Sequence, residues 1–158
     1  MITREKLTYN DALYVFRHAD PVVLAEWNSV VEFPTVRQRV KDVMLYSKFK
    51  WCLKMEGRPV AIFGAYSVTK TTLMGWCLPV QNASKKVWAQ MLKEVKDAIR
   101  FSFNTGVLKR MHMIVCTDRP EPEFFATKLG MLRIGNLPYY GDGKDFMLMG
   151  VTYREAEE

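Results

Sequence analysis

TTLMGWCLPVQNASKKVWAQMLKEVKDAIRFSFNTG, residues 71–106, reads as a strand, a short polar loop and the longest amphipathic helix of the chain. The run from Leu73 to Val80 is almost continuously apolar, which predicts a central strand covered on both faces. Gly75 inside it predicts a bulge or a close backbone approach, and Pro79 should end its pairing on one edge. Asn82 or Ser84 can cap the helix behind it, and Val87, Met91, Leu92, Val95, Ile99 and Phe103 form the buried stripe of that helix. Gly106 is placed for a left-handed C-terminal residue. A strand that runs into a helix puts unpaired backbone N–H groups at the helix start, where anions bind. Lys85 and Lys86 stand in that first turn, where the macrodipole disfavours cations by about 0.3–1 kcal/mol. A bound anion would offset that cost.

Outward from this stretch, the period before it is two. Phe49, Trp51, Leu53 and Met55 alternate with Lys50, Cys52, Lys54 and Glu56, predicting a half-buried strand with Phe49 and Trp51 inward. Glu56 and Gly57 supply a turn into RPVAIFGAY, residues 58–66, and so a β-hairpin. After the long helix, residues 108–116 form a strand that should lie parallel to residues 73–80 through a right-handed crossover. A short helix with Phe124, Phe125 and Leu129 follows, stopped by Gly130. A strand from Met131, a loop holding Gly135 and Pro138, a turn at residues 141–143 and a closing strand from Phe146 to Tyr153 complete the chain. At the other end, residues 6–9 predict a short strand, Asn10 or Asp11 a cap for a helix over 12–19, and Asp20-Pro21 a second helix start. Pro34 and Thr35 open a third helix, with Thr35 and Gln38 as a capping box. The expected fold is α+β, or mixed α/β: one twisted, mostly antiparallel sheet with a single parallel crossover and helices on both faces.

A chain of 158 residues, 49% of them hydrophobic, fills one core and is too short for two, so a single domain over 1–158 is expected. Its net charge of +6 permits an acidic partner, with cations grouped between Arg37 and Arg58 and again between Lys85 and Arg110. An ordinary solvated basic face accounts for the same groups. Cys52, Cys77 and Cys116 are odd in number and flanked by apolar residues, which reads as buried reduced thiols. His18 and His112 are the only histidines and no metal-ligand spacing occurs, so no metal site is expected. No run approaches a membrane span, and a cytoplasmic location follows as the expectation. The acidic end, Glu155, Glu157 and Glu158, is expected to fray.

Three stretches, MEGRPVAIFGA (55–65), GWCLPVQNASKKVWAQMLKEV (75–95) and FFATKLGM (124–131), together with the order of elements, resemble the GNAT superfamily of acyl-CoA N-acyltransferases. The chain looks like the divergent GNAT-like proteins of tailed phages, some of them small virion or morphogenesis proteins. The resemblance implies acetyl-CoA bound by Leu78, Val80, Gln81, Asn82, Ser84, Lys85, Lys86 and Val87, and an amine acceptor on a small molecule or a protein. For the phage type it implies a host cytoplasm or a virion as location.

The family's phosphate loop carries two spaced glycines, and none stands between Leu78 and Val87. Its frequent glutamate base has no counterpart among residues 73–80, its tyrosine acid falls on Ala126, and the Asn and Ala that open its late helix fall on Arg119 and Pro122. Asp118 and Tyr139, with Tyr140 beside it, are the replacement catalytic candidates; a helix cap for Asp118 and half-buried hairpin positions for the tyrosines are the plainer readings. His112 could serve as a base and Cys77 as a nucleophile, though each fits a structural place in a strand better. The departures motivate an alternative: a catalytically silent GNAT-fold phage protein acting by macromolecular binding in virion assembly or host takeover. Nucleic-acid binding through Lys48-Phe49-Lys50-Trp51 is a third and weaker reading, since the alternation there already explains both rings.

Overall fold

The computed structural model describes residues 1–33, 35–106 and 108–152. Pro34, Tyr153 and the acidic end, read from the sequence as a helix start, a strand end and a frayed tail, lie outside the described residues. The described elements are β1 (Ile2–Lys6), α1 (Tyr9–Arg17), α2 (Pro21–Val30), α3 (Val36–Tyr46), β2 (Ser47–Met55), β3 (Arg58–Ser67), β4 (Thr72–Pro79), α4 (Lys85–Asn104), β5 (Arg110–Cys116), α5 (Glu121–Lys128), β6 (Leu132–Gly141) and β7 (Lys144–Thr152). The strands follow the order β1-β2-β3-β4-β5-β7-β6. The sheet is mostly antiparallel, and β4 pairs parallel with β5 through Thr72, Leu73 and Met74 against Arg110, Met111 and His112. This is the mixed α/β architecture that the element order predicts.

Local chemistry explains most boundaries. Thr8 caps α1, its Oγ1 accepting the Asp11 N–H at 3.2 Å, so residues 6–9 are not the first strand; that strand lies earlier, where β1 pairs along β2. Asp20 caps α2 by accepting from the Val22 N–H at 2.9 Å, with Pro21 at the first helical position. Thr35 Oγ1 accepts the Gln38 N–H at 3.0 Å to start α3. Glu56 and Gly57 both take positive φ, 54° and 77°, as a tight hairpin turn requires.

The chain forms two compact units, Met1–Tyr66 with Trp76–Met91, and Ser67–Gly75 with Leu92–Glu158. In the first, Leu7, Ala12, Val15, Phe16, Val40, Cys52, Ile62 and Leu78 make the centre of the core. Phe16, Trp27 and Trp76 stack edge to face in series, with centroids 5.6 and 5.8 Å apart. Trp76 donates its Nε1–H to Ser47 Oγ at 3.1 Å, and its ring lies against Gly64, where an added Cβ would come within 2.7 Å of it and 2.2 Å of the Phe49 carbonyl oxygen. Arg39 is buried; its guanidinium donates to the Val31 carbonyl and stands 5.8 Å above Trp27, and burial lowers its pKa. Lys54 bridges Asp11 at 3.1 Å and Glu5 at 3.7 Å, and the bond to Asp11 raises its pKa.

The strict alternation expected for β2 does not hold. Register shifts at Ser47/Phe49 and Leu53/Lys54 interrupt it, and Cys52 and Leu53 are both buried while Phe49 is 37% exposed. Lys48 sits 5.8 Å over the Phe49 ring and Arg4 5.0 Å over half-buried Trp51, so neither ring is fully inward.

In the second unit β7 lies between β5 and β6, and Met111, Met113, Met131, Met147 and Met149 are all buried. Unbranched thioethers fill irregular gaps there. Residues 132–141 are one strand rather than a strand and a loop: register shifts at Arg133/Gly135 and Leu137/Gly141 let it pass Gly135 and Pro138. A Cβ added at Gly75 would meet Met113 Cγ at 3.4 Å, Met111 Sδ at 3.5 Å and the His112 carbonyl oxygen at 3.6 Å, all ordinary contacts, so the backbone approach there is not one that requires a glycine.

Gly64→Ala drives a methyl group into backbone that cannot yield cheaply, and should cost about 1–3 kcal/mol. Urea unfolding measures it; a variant as stable as the parent would contradict the packing described.

Candidate functional site

β4 ends at Pro79 and α4 begins at Lys85. Backbone bonds hold the start of the loop between them: the Val80 N–H donates to the Val60 carbonyl at 3.0 Å and the Gln81 N–H to the His18 carbonyl at 2.7 Å. The Asp20 N–H donates to the Pro79 carbonyl at 3.4 Å, and Ala19 and Val80 form an antiparallel bridge. The link between α1 and α2 therefore acts as a short strand against the loop. That role has no sequence signal, because nothing local in His18-Ala19-Asp20 announces a partner sixty residues away.

Next comes Asn82, in the left-handed region at φ 60°. Asparagine is the side chain that best tolerates this conformation after glycine, so the loop makes its turn without one. Ser84 then caps α4: its Oγ accepts the Val87 N–H at 3.3 Å and its carbonyl the Trp88 N–H at 3.1 Å. Among the described residues, no acceptor pairs with the backbone N–H of Ser84, Lys85 or Lys86. These donors carry the positive end of a 20-residue helix. Val87 is buried, so its side chain points away from them, while Lys85 and Lys86 are exposed. Leu78 is fully buried in the core and anchors the strand end. The arrangement is a concentrated set of donors and cations suited to a polyanionic group such as a pyrophosphate.

The catalytic candidates lie in the second unit. Asp118 Oδ2 accepts from Lys144 Nζ at 3.1 Å; it does not cap α5, whose cap position is held by Pro120 without a side-chain bond. Tyr139 is 87% exposed with φ 56°, its N–H donating to Asp145 Oδ1 at 2.8 Å. Tyr140 packs edge to face on Phe146 at 5.9 Å. His112 accepts from Arg110 Nε through Nε2, in the tautomer that leaves its proton on Nδ1, and desolvation first, then the Arg110 charge, lowers its pKa. In the first unit, burial pushes the Cys77 thiol up to about 12, which removes it as a thiolate nucleophile near neutrality. Among the described residues no three metal-ligating side chains come together.

His112 makes stability depend on pH. The unfolded imidazole takes up a proton near its ordinary 6.5, and the folded one resists until lower pH. The contribution is complete above pH 6.5 and is lost as the pH falls below it. Melting temperatures at pH 7.5 and 5 should therefore converge in His112→Gln relative to the parent; an identical acid loss in both would refute this assignment.

No family model and no curated relative matches the chain in sequence. Solved structures match it in shape over nearly its whole length. Spermidine N-acetyltransferase from Vibrio cholerae, in complex with CoA and spermine, superposes with a TM-score of 0.77 at 10% identity, covering 99% of this chain and 98% of that one. AAC(6')-Ib in complex with ribostamycin and coenzyme A gives 0.76 at 14% identity, with 99% and 96% covered. An acetyltransferase of the GNAT family from Bacillus anthracis gives 0.75 at 14% identity, with 97% and 95% covered. With five helices and seven strands, one pair of them parallel, among its described residues, this chain has the fold of the GNAT acetyltransferases.

Proposed function

We propose that this protein is an N-acetyltransferase that binds acetyl-CoA at residues 78–87 and transfers the acetyl group to an amine of a small molecule or a protein. The observation that carries the reading is the start of α4, where the N–H groups of Ser84, Lys85 and Lys86 lack acceptors among the described residues and two lysines flank them. The fold adds support, because solved examples of it hold CoA together with an amine substrate. In this reading the pyrophosphate takes the three N–H groups and the two ammonium groups. Asn82 sets the turn that aims them, and Leu78, Val80 and Gln81 fix the strand end from which the turn departs.

The reaction asks for a neutral amine, which attacks the thioester carbonyl carbon. The new C–N bond forms, the C–S bond breaks, the amine loses a proton and the departing thiolate gains one. Neither the Val80 nor the Gln81 N–H is open as an oxyanion donor, since both are spent inside the protein. Asp118 would have to leave Lys144 to act as a base, and Tyr139 is solvated. These two observations favour a second reading, a GNAT-fold protein that retains the cofactor cradle and works by binding a macromolecule. A cytoplasmic setting goes with either reading; a phage origin would make it the host cytoplasm, and a virion setting goes with the second.

Titration calorimetry with acetyl-CoA, on the parent and on Lys85→Glu/Lys86→Glu, separates these outcomes. Binding weakened at least about ten-fold by the double variant, roughly 1.4 kcal/mol, is the expected result. No heat at millimolar ligand would overturn the acetyl-CoA assignment. Binding with no CoA thiol released over a panel of amines would move the conclusion to the silent reading.

A further inference from the structure

Ser47 is buried at the start of β2, where its Oγ accepts the Trp76 Nε1–H at 3.1 Å. The pairing of β2 with β3 then skips Lys48: Ser47 lies opposite Tyr66 and Phe49 opposite Ala65. An extra residue of this kind re-aims the side chains beside it. With Ser47 fixed in the core, Lys48 and Phe49 turn out to solvent, where strict alternation would have put the Phe49 ring inward.

The end of α3 meets this bulge. Arg37, Lys41 and Leu45 recur every four residues on one exposed face of the helix, and Tyr46, its last residue, is 64% exposed. Lys48 Nζ stands 5.8 Å from the centroid of the Phe49 ring, a cation set beside a ring. Residues 35–50 hold five cations and one carboxylate, in a chain whose net charge is +6. Arg39 is buried and Lys50 donates to the Ser47 carbonyl at 3.1 Å. Arg37, Lys41 and Lys48 are exposed and make no salt bridge among the described residues.

Charge and shape together identify what fits this corner. Cations one helical turn apart, about 6 Å along α3, match an anion of repeating charge better than a single carboxylate. Lysine is depleted at contacts between proteins, which argues against a protein there. A lipid surface would need an apolar face on α3, and that face, Val40 with Val43 and Met44, is already packed into the core. Exposed rings among cations suit a single-stranded nucleic acid, whose bases stack on the rings while its phosphates take the charges. A duplex keeps its bases stacked on one another and gains nothing from the rings.

We propose that the corner between α3 and β2 binds single-stranded nucleic acid, with Tyr46 and Phe49 stacking bases and Arg37, Lys41 and Lys48 holding phosphates. The inference stands apart from the reading of residues 78–87.

Fluorescence anisotropy of a labelled oligothymidylate of about sixteen nucleotides, titrated with the full chain to about 100 μM at about 50 and 200 mM salt, tests it. The parent should bind within that range, and more weakly at the higher salt. Tyr46→Ala removes a ring and no charge, and should weaken binding at least about five-fold with its salt dependence unchanged. Lys41→Gln should weaken binding and reduce the slope of log K against log salt by about 0.7, one phosphate contact of a single strand. Lys93→Gln, the same change at an exposed lysine of α4, should stay within about two-fold of the parent. A parent that leaves the anisotropy unchanged overturns the proposal. So does binding indifferent to Tyr46→Ala, which would be the unspecific attraction of a basic chain, and so does a duplex of equal length bound as tightly. Should Tyr46→Ala fail to fold, Phe49→Leu, which keeps an apolar side chain and removes the ring, decides.

Discussion

The backbone bonds that tie residues 79–81 to the α1–α2 link and to β3 constrain everything that happens at the start of α4. Two of them consume the N–H groups of Val80 and Gln81, and a third receives the Asp20 N–H on the Pro79 carbonyl. With the strand end fixed on both sides, the chain has few residues in which to reverse into a helix, and Asn82 supplies the left-handed step. Ser84 can then cap, Val87 can enter the core, and the donors of residues 84–86 are left facing outward. Loosening the link at His18 and Asp20 would free the strand end and with it the direction of the helix. The strand end of the candidate site is thus held by partners outside it, His18, Asp20 and Val60.

In the proposed reading, anion binding and catalysis make separate demands on the chain. The first needs only oriented donors and positive charge, and both are supplied by the helix start and two exposed lysines. The second needs a group whose proton affinity suits transfer near neutrality. Asp118 is committed to Lys144, the Cys77 thiol is held neutral by burial, and His112 is held neutral between a sheet environment and Arg110. Backbone features of a fold survive sequence change more easily than such side chains do, because many sequences can form the same strand, loop and helix.

The sequence by itself determined the element order, since that order rests on local physics: the hydrophobic period, the caps at Asp20, Thr35 and Ser84, and the Glu56-Gly57 turn. It placed the candidate anion site for the same reason, because donors at a helix start follow from the helix alone. It misjudged the first strand, where Thr8 prefers to cap, and the alternation in β2, where two register shifts bring Cys52 and Leu53 inside together. It also read Gly135 and Pro138 as a loop that the pairing with β7 absorbs into β6. Only the tertiary structure decided how the loop is pinned, that Asn82 takes its left-handed turn, that Asp118 pairs with Lys144, and that β6 ends the sheet among the described residues. Each of these depends on partners distant in the chain or on a strand's place in the sheet, and neither leaves a trace in local periodicity or composition.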